Sequence, residues 1–283
     1  MKNFKEEFIN LTTDTERALY GVSGALVKNC RFTGPVDGES CLKETSDLVV
    51  ENCYFALRYP LWHCTGGQIV DCVMTDTCRA PLWYDKNLTV TNLRCDGIKA
   101  IRECDGVSVS KSTFVSPEFC WLSKNLKFQD VTVESEYPFF FIKNAEMTNL
   151  KMKGKYSFQY AENVTITDSV LDTKDAFWHT KNVTVKDSVV KGEYLGWYSE
   201  NLTLINCKII GTQPLCYAKN LKIIDCETEG CDLSFENSEV DAKIKGKILS
   251  VKNPLGRIVA DEIGEIIVDE HSRGKYDITT VKS

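Results

Sequence analysis

Breaking a glycosidic bond by hydrolysis takes two carboxyl groups roughly 5 to 10 Å apart, and lyase chemistry takes a base beside a cation or metal. Two places in this chain offer such groups. Asp175 and Glu193 stand just before the aromatic stretches Phe177–Thr180 (FWHT) and Gly196–Ser199 (GWYS), and His179 lies within the first of these. Arg102 and Glu103, with Lys99 and Asp85 close in sequence, form a second cluster. Asp175, Glu193, His179, Arg102 and Glu103 are therefore the candidate catalytic residues. The competing reading is surface charge paired between neighbouring coils, for which Lys99 and Glu118 are the model.

Beside these groups run two columns of aromatic residues. One holds Trp62, Trp83, Arg102, Trp121, Phe140, Gln159, Trp178, Trp197 and Cys216, and includes all five tryptophans. The next holds His63, Tyr84, Glu103, Leu122, Phe141, Tyr160, His179, Tyr198 and Tyr217. Read as strands, neighbours point to opposite faces, so one column lines the core and the other faces out. Arg102 argues that the tryptophan column is outside and Glu103 argues the same for its neighbour; the balance favours outward tryptophans. Sugar rings stack on such strips, which makes Trp62, His63, Trp83, Tyr84, Trp121, Trp178 and Trp197 candidate substrate-binding residues. The alternative is a noncatalytic scaffold whose strip is covered by another protein or by a second copy of the chain.

The elements that position these columns are repeats. Asn87, Gly106, Asn125, Asn144, Asn163, Asn182, Asn201 and Asn220 are nineteen apart. Apolar residues follow one and three positions later, as in Val164 and Ile166, or Leu202 and Leu204. This is strand periodicity. A second alternating pair comes six and eight positions after each Asn, beyond a polar turn residue such as Asn92, Asp130, Asp168, Asp187, Asn206 or Asp225. The aromatic stretch follows as a third strand. Three short strands per block cannot bury their apolar faces alone, so blocks must stack. A leucine-rich repeat would need a helical arc and a Leu-x-x-Leu-x-Leu frame, and neither is present. The pattern predicts an all-β, single-stranded parallel β-helix of about eleven rungs, counted on the turn residues from Asn29 to Asp225. It also predicts stacked asparagine amides at a corner where the backbone is left-handed. One domain is expected, with a cap over 1–17, rungs over 18–239, and closing strands and a polar tail over 240–283. Insertions are expected at Gly34–Glu44 and Thr75–Ala80.

A formal charge of −6 excludes a nucleic-acid backbone as partner, since Lys and Glu alternate along the repeats rather than forming a basic face. No apolar run is long enough to span a membrane as a helix, and the N-terminus lacks a secretory pattern, so a cytoplasmic location is expected. The thirteen cysteines fit that location. Cys30, Cys53, Cys72, Cys207 and Cys226 occupy the inward position that Ser112, Ser169, Ser188 and Val131 hold in other coils, and read as small core residues kept as thiols. With no C-x-x-C pair, no metal site is assigned and no cofactor is expected.

The stretches Arg17–Gly21 (RALYG), Gly38–Glu44 (GESCLKE), Arg58–His63 (RYPLWH), Arg79–Tyr84 (RAPLWY), Lys174–His179 (KDAFWH), Gly192–Cys207 and Gly211–Tyr217 (GTQPLCY) resemble an uncharacterised bacterial family, domain of unknown function 3737. The resemblance implies a right-handed, pectin-lyase-like β-helix. It implies no settled activity and no catalytic residues.

Overall fold

The computed structural model describes residues 4–34 and 39–281, so Pro35–Gly38 of the first expected insertion and the extreme termini lie outside the described residues. Strands, bridges and turns make up the described residues, and none of them forms a helix that could cross a membrane. Strand pairs are parallel and in register with the coil before and the coil after. The chain is a parallel β-solenoid of about 14 turns, against the eleven expected.

The extra turns lie at the ends. Glu7–Ile9 pairs with Leu26–Lys28 and Thr12–Thr13 with Arg31–Phe32, so the segment expected to cap the first coil contributes paired strands. Glu239–Lys252 pairs along most of its length with Leu255–Ile267, and Tyr276–Thr280 pairs with Gly256–Ala260 inside the expected polar tail. These strands bury Val240, Ala242, Ile244, Ile258 and Ala260, so their alternation does the same work as in the earlier coils without the aromatic marker.

The chain packs as two compact units, residues 1–138 with 143–145 and residues 139–142 with 146–283. In the N-terminal unit Val27, Val50, Ile69, Val90, Val109 and Phe128 form one buried column, and Phe32, Phe55, Met74, Cys95, Phe114 and Val133 another. In the C-terminal unit Ile166, Val185, Leu204 and Ile223 line up in the same way, as do Leu171, Val190 and Ile209.

The asparagine corner is held as expected, and the other corner is left-handed as well. The turn residues take left-handed backbone angles, from Asn29 (φ 55°) to Asp225 (φ 53°), and so do the repeat asparagines. Their amides bond from coil to coil: Asn144 donates to Asn125 at 3.1 Å in the N-terminal unit, and Asn182 to Asn163 at 2.9 Å and Asn201 to Asn182 at 2.8 Å in the C-terminal unit. Asn pays less than other residues for this conformation, and the bonded amides offset what it pays. The cysteines are free and buried. They do more than fill space. The Cys53 N–H donates to Cys72 Sγ at 3.4 Å and the Cys207 N–H to Cys226 Sγ at 3.3 Å, in the role that Ser112 Oγ plays for the Leu93 N–H and Ser188 Oγ for the Ser169 N–H. Cys and Ser interchange here because either can accept that corner N–H.

The third side differs from the strand expected there. Among the described residues Leu61–Trp62 and Leu82–Trp83 pair as strands, single parallel bridges carry the pairing on from Trp83 to Arg102 and Trp121, and elsewhere the stretch is turn and bend. Its backbone is left-handed at alternate residues: Phe158 (φ 60°) and Tyr160 (φ 58°), Phe177 (φ 60°) and His179 (φ 56°), Leu215 (φ 63°) and Tyr217 (φ 59°). Two left-handed residues around one ordinary residue break the alternation of faces on which the strand reading rested. Part of the expected Gly34–Glu44 insertion makes the same corner, with Leu42 buried and Glu44 left-handed.

Candidate aromatic face and its carboxylates

Because alternation fails, neither aromatic column lines the core. The interior is filled by the residues immediately before them, Leu82 and Ile101 in the N-terminal unit and Phe139, Phe158 and Phe177 in the C-terminal unit, all buried. Phe158 stacks between Phe139 and Phe177 at 4.7 and 5.0 Å. Both columns therefore face outward, the tryptophans half-buried and most of the His/Tyr column exposed.

In the N-terminal unit, Trp62 stacks on Trp83 (5.4 Å, 8°) and His63 on Tyr84 (4.9 Å, 10°). The Lys43 ammonium sits 4.3 Å from the Trp62 ring centre, and Tyr59 leans against both indoles at 5.7 Å. Arg102 is committed three ways, to Glu118 at 3.2 Å, to Glu103 at 3.5 Å, and over the Trp121 ring at 5.2 Å. Lys99 completes the cluster through Glu118 at 3.2 Å, the pairing expected of surface charge. Glu103 accepts from the Tyr84 hydroxyl, which pushes that phenol up. Asp85, expected near this cluster, is instead fully buried: its Oδ1 accepts the Cys64 N–H at 2.8 Å, while Oδ2 has no hydrogen-bond partner among the described residues. It occupies the core position that Ser123 holds for the Cys104 N–H, and burial pushes its carboxyl up to about 8.

In the C-terminal unit one ring per coil forms a ladder: Phe141, Tyr160, His179, Tyr198 and Tyr217 stack successively at 4.8, 5.1, 5.1 and 5.1 Å. Tyr160 is 43% and Tyr198 47% exposed. Coils repeat every ~4.8 Å, more than the ~3.5–4.0 Å between carbon atoms in contact, so stacked rings lean like shingles and leave part of each face open. Tyr217 is pushed up to about 12 by burial and by its bond to Glu236. Trp178 stacks on Trp197 (5.4 Å, 5°), and the Trp197 ring stands at 82° to that of Tyr198. Their indole N–H groups are spent internally, Trp178 on the Tyr194 carbonyl at 2.6 Å and Trp197 on the Gln213 carbonyl at 2.8 Å.

Asp175 and Glu193 are brought to adjacent coils, where the Asp175 N–H donates to the Glu193 carbonyl at 3.0 Å. Their side chains differ. Asp175 is 6% exposed and its carboxyl is raised by burial, with Lys174 opposing and Glu193 adding to the shift. Glu193 is exposed and paired with Lys174 at 3.0 Å. The strand reading passed over Tyr59 and Lys43, whose contacts are visible only across coils, while the Lys99–Glu118 pair is the one expected; Tyr160, Tyr198 and Tyr217 were legible as a column from their spacing.

A family model for proteins of unknown function, DUF3737, matches residues 6–281. The chain belongs to the DUF3737 family. Among solved structures, this DUF3737 protein is similar to PfbA, a surface adhesin of Streptococcus pneumoniae, at 9% identity over 84% of this chain and 85% of that one, with a TM-score of 0.50. It is also similar to the A-module of the mannuronan C-5 epimerase AlgE4 of Azotobacter vinelandii (9%, 96% and 89%, 0.42). A third is the tailspike of E. coli bacteriophage HK620 in complex with a hexasaccharide (8%, 98% and 72%, 0.44). At these identities the likeness is one of fold, the pectin-lyase-like parallel β-helix. No curated protein matches the DUF3737 sequence.

Proposed function

We propose that the protein binds a carbohydrate on the aromatic face of its C-terminal unit. The observation that carries this reading is the ladder from Phe141 to Tyr217, five rings in a row of which Phe141, Tyr160 and Tyr198 are more than two-fifths exposed. Leaning rings offer apolar strips to the C–H faces of sugars, and the Tyr and His tips offer hydrogen bonds at the spacing of the coils. Trp178 and Trp197 set the back of the face and fix the chain by their bonds to Tyr194 and Gln213. The free buried thiols suit a reducing compartment, so the ligand in this reading is an oligosaccharide within the cytoplasm.

The test is a glycan array and an oligosaccharide-cleavage screen on wild type and a Tyr160→Ala, Tyr198→Ala double variant, which removes exposed rings while sparing the indole bonds. Binding by wild type and loss in the variant is the expected result. Wild type that captures no glycan sinks the reading. A second reading, cleavage, rests on Asp175: a buried carboxyl whose pKa burial raises lies one coil from the exposed Glu193 that pairs with Lys174, two carboxyl groups in unlike surroundings. Turnover abolished in Asp175→Asn but retained in Lys174→Ala would support it.

A further inference from the structure

Three tryptophans give their indole N–H to the backbone carbonyl sixteen residues ahead: Trp121 to Tyr137 at 2.6 Å, Trp178 to Tyr194 at 2.6 Å and Trp197 to Gln213 at 2.8 Å. Trp62 and Trp83 do not. Each of their Nε1 atoms is buried without an acceptor among the described residues. Native proteins rarely leave one such donor dry, and here two lie on parallel, stacked indoles one coil apart. In this part of the chain the expected insertion Thr75–Ala80 remakes the return path: the Cys78 N–H closes a turn on the Thr75 carbonyl, and the Arg79 and Ala80 N–H groups both go to the Arg58 carbonyl.

The surroundings say what would satisfy the two donors. Tyr59 lies against both indoles, between the bends at Arg58 and Pro60, with the Arg58 guanidinium 5.3 Å from its ring centre. The Trp83 and Tyr84 rings stack at 5.1 Å, and the Tyr84 hydroxyl is given to Glu103. Lys43 sits over Trp62, and His63 stacks on Tyr84. An anion here meets the Glu103 carboxylate, and a cation meets Lys43 and the two N–H donors. A hydroxyl both accepts and donates, so it suits the N–H groups and the carboxylate together.

We propose that Trp62 and Trp83 form a second binding site, in the N-terminal unit, for a neutral saccharide, with Tyr59 as its movable cover. The indole N–H groups donate to two sugar hydroxyl oxygens, Glu103 accepts from a neighbouring hydroxyl, and the Tyr59 ring swings aside to admit the sugar. The site shares no residue with the C-terminal face and stands or falls apart from it.

The five indole N–H resonances of 15N-labelled protein read this directly, with Trp62→Phe and Trp83→Phe assigning two of them and circular dichroism confirming that each variant folds. Glucose, galactose and mannose serve as neutral probes, sodium acetate as the anionic and tetramethylammonium as the cationic probe. The expected result is a shift of the Trp62 and Trp83 signals with at least one sugar and with neither ion, and roughly tenfold weaker binding in each Trp→Phe variant, the loss of one donated hydrogen bond. Tyr59→Ala is expected to speed solvent exchange of these two N–H groups alone. The proposal is overturned if no sugar moves them in either wild type or Tyr59→Ala, or if acetate moves them and sugars do not. Movement of the Trp178 and Trp197 signals alone would favour the C-terminal face and reject this one.

Discussion

The same corner of the repeat is built in two ways. In the C-terminal unit each coil contributes one ring to a ladder, every indole N–H has a backbone acceptor, and a second ladder of phenylalanines lies beneath. In the coils from Tyr59 to Glu103 of the N-terminal unit the corner mixes two indoles, an imidazole, two phenols and an Arg–Glu–Lys cluster; two indole donors have no acceptor among the described residues and a carboxyl is buried below, whereas Trp121 further along is satisfied by the Tyr137 carbonyl. Regular coils satisfy their polar groups because each coil presents the same carbonyl at the same place. Where coil length changes from twenty-three to nineteen to twenty-one, that supply fails, and unsatisfied groups gather. Irregularity is thus where binding chemistry has room to act, and regularity is where stability is made.

The largest test of this contrast is the core beneath the two corners. Phe158→Ala removes a fully buried ring stacked on both sides and is expected to cost roughly 3–5 kcal/mol, with Leu82→Ala at the lower end of roughly 2–5 kcal/mol, read by urea unfolding of each variant. Equal costs would break the claim that stability is concentrated in the regular coils.

The buried carboxyl gives the next effect. Asp85 titrates near the usual carboxylate value when unfolded but at about 8 when folded, so between those values the native state holds a proton that the unfolded state has lost. Stability from this group is fully present below about pH 4 and is lost as pH rises through 8. The slope is about 1.4 kcal/mol per pH unit. Asp85→Asn keeps an acceptor for the Cys64 N–H and is expected to flatten that slope in unfolding curves taken from pH 5 to pH 9. An unchanged slope would mean that Asp85 is not the group responsible.

The smallest effect sharpens the contrast most. Trp178→Phe strands the Tyr194 carbonyl and is expected to cost about 1 kcal/mol beyond its lost area. Trp83→Phe deletes a donor that has no acceptor and is expected to cost nothing on that account or to stabilise slightly. The difference between the two in thermal unfolding measures what the regular carbonyl provides.

Much of the fold was legible in the residues. The asparagine spacing announced the coil and its left-handed corner, and the shared Cys and Ser positions announced an inward column, because period and backbone preference are local properties written in every repeat. The ends were harder to see, since the last coils keep the alternation of Val240 to Ile244 but lose the nineteen-residue clock. The candidate site was legible as composition and misread as geometry. Trp178 and His179 look like neighbours on a strand that must face opposite ways, yet both face out, because Phe177 and His179 are left-handed; Trp62 and His63 both face out with His63 alone left-handed.

By itself, then, the sequence determined that this chain coils, that its strands stack in parallel, and that one corner of most of the nineteen-residue coils carries aromatic residues. Only the tertiary structure decided which residue of that corner goes inward, which indoles keep a free donor, and that Asp85 is buried while Glu103 is not. The physical reason is that side-chain direction at a turn depends on backbone angles set by packing against the coils before and after, and whether a donor is satisfied depends on a carbonyl sixteen or more residues away.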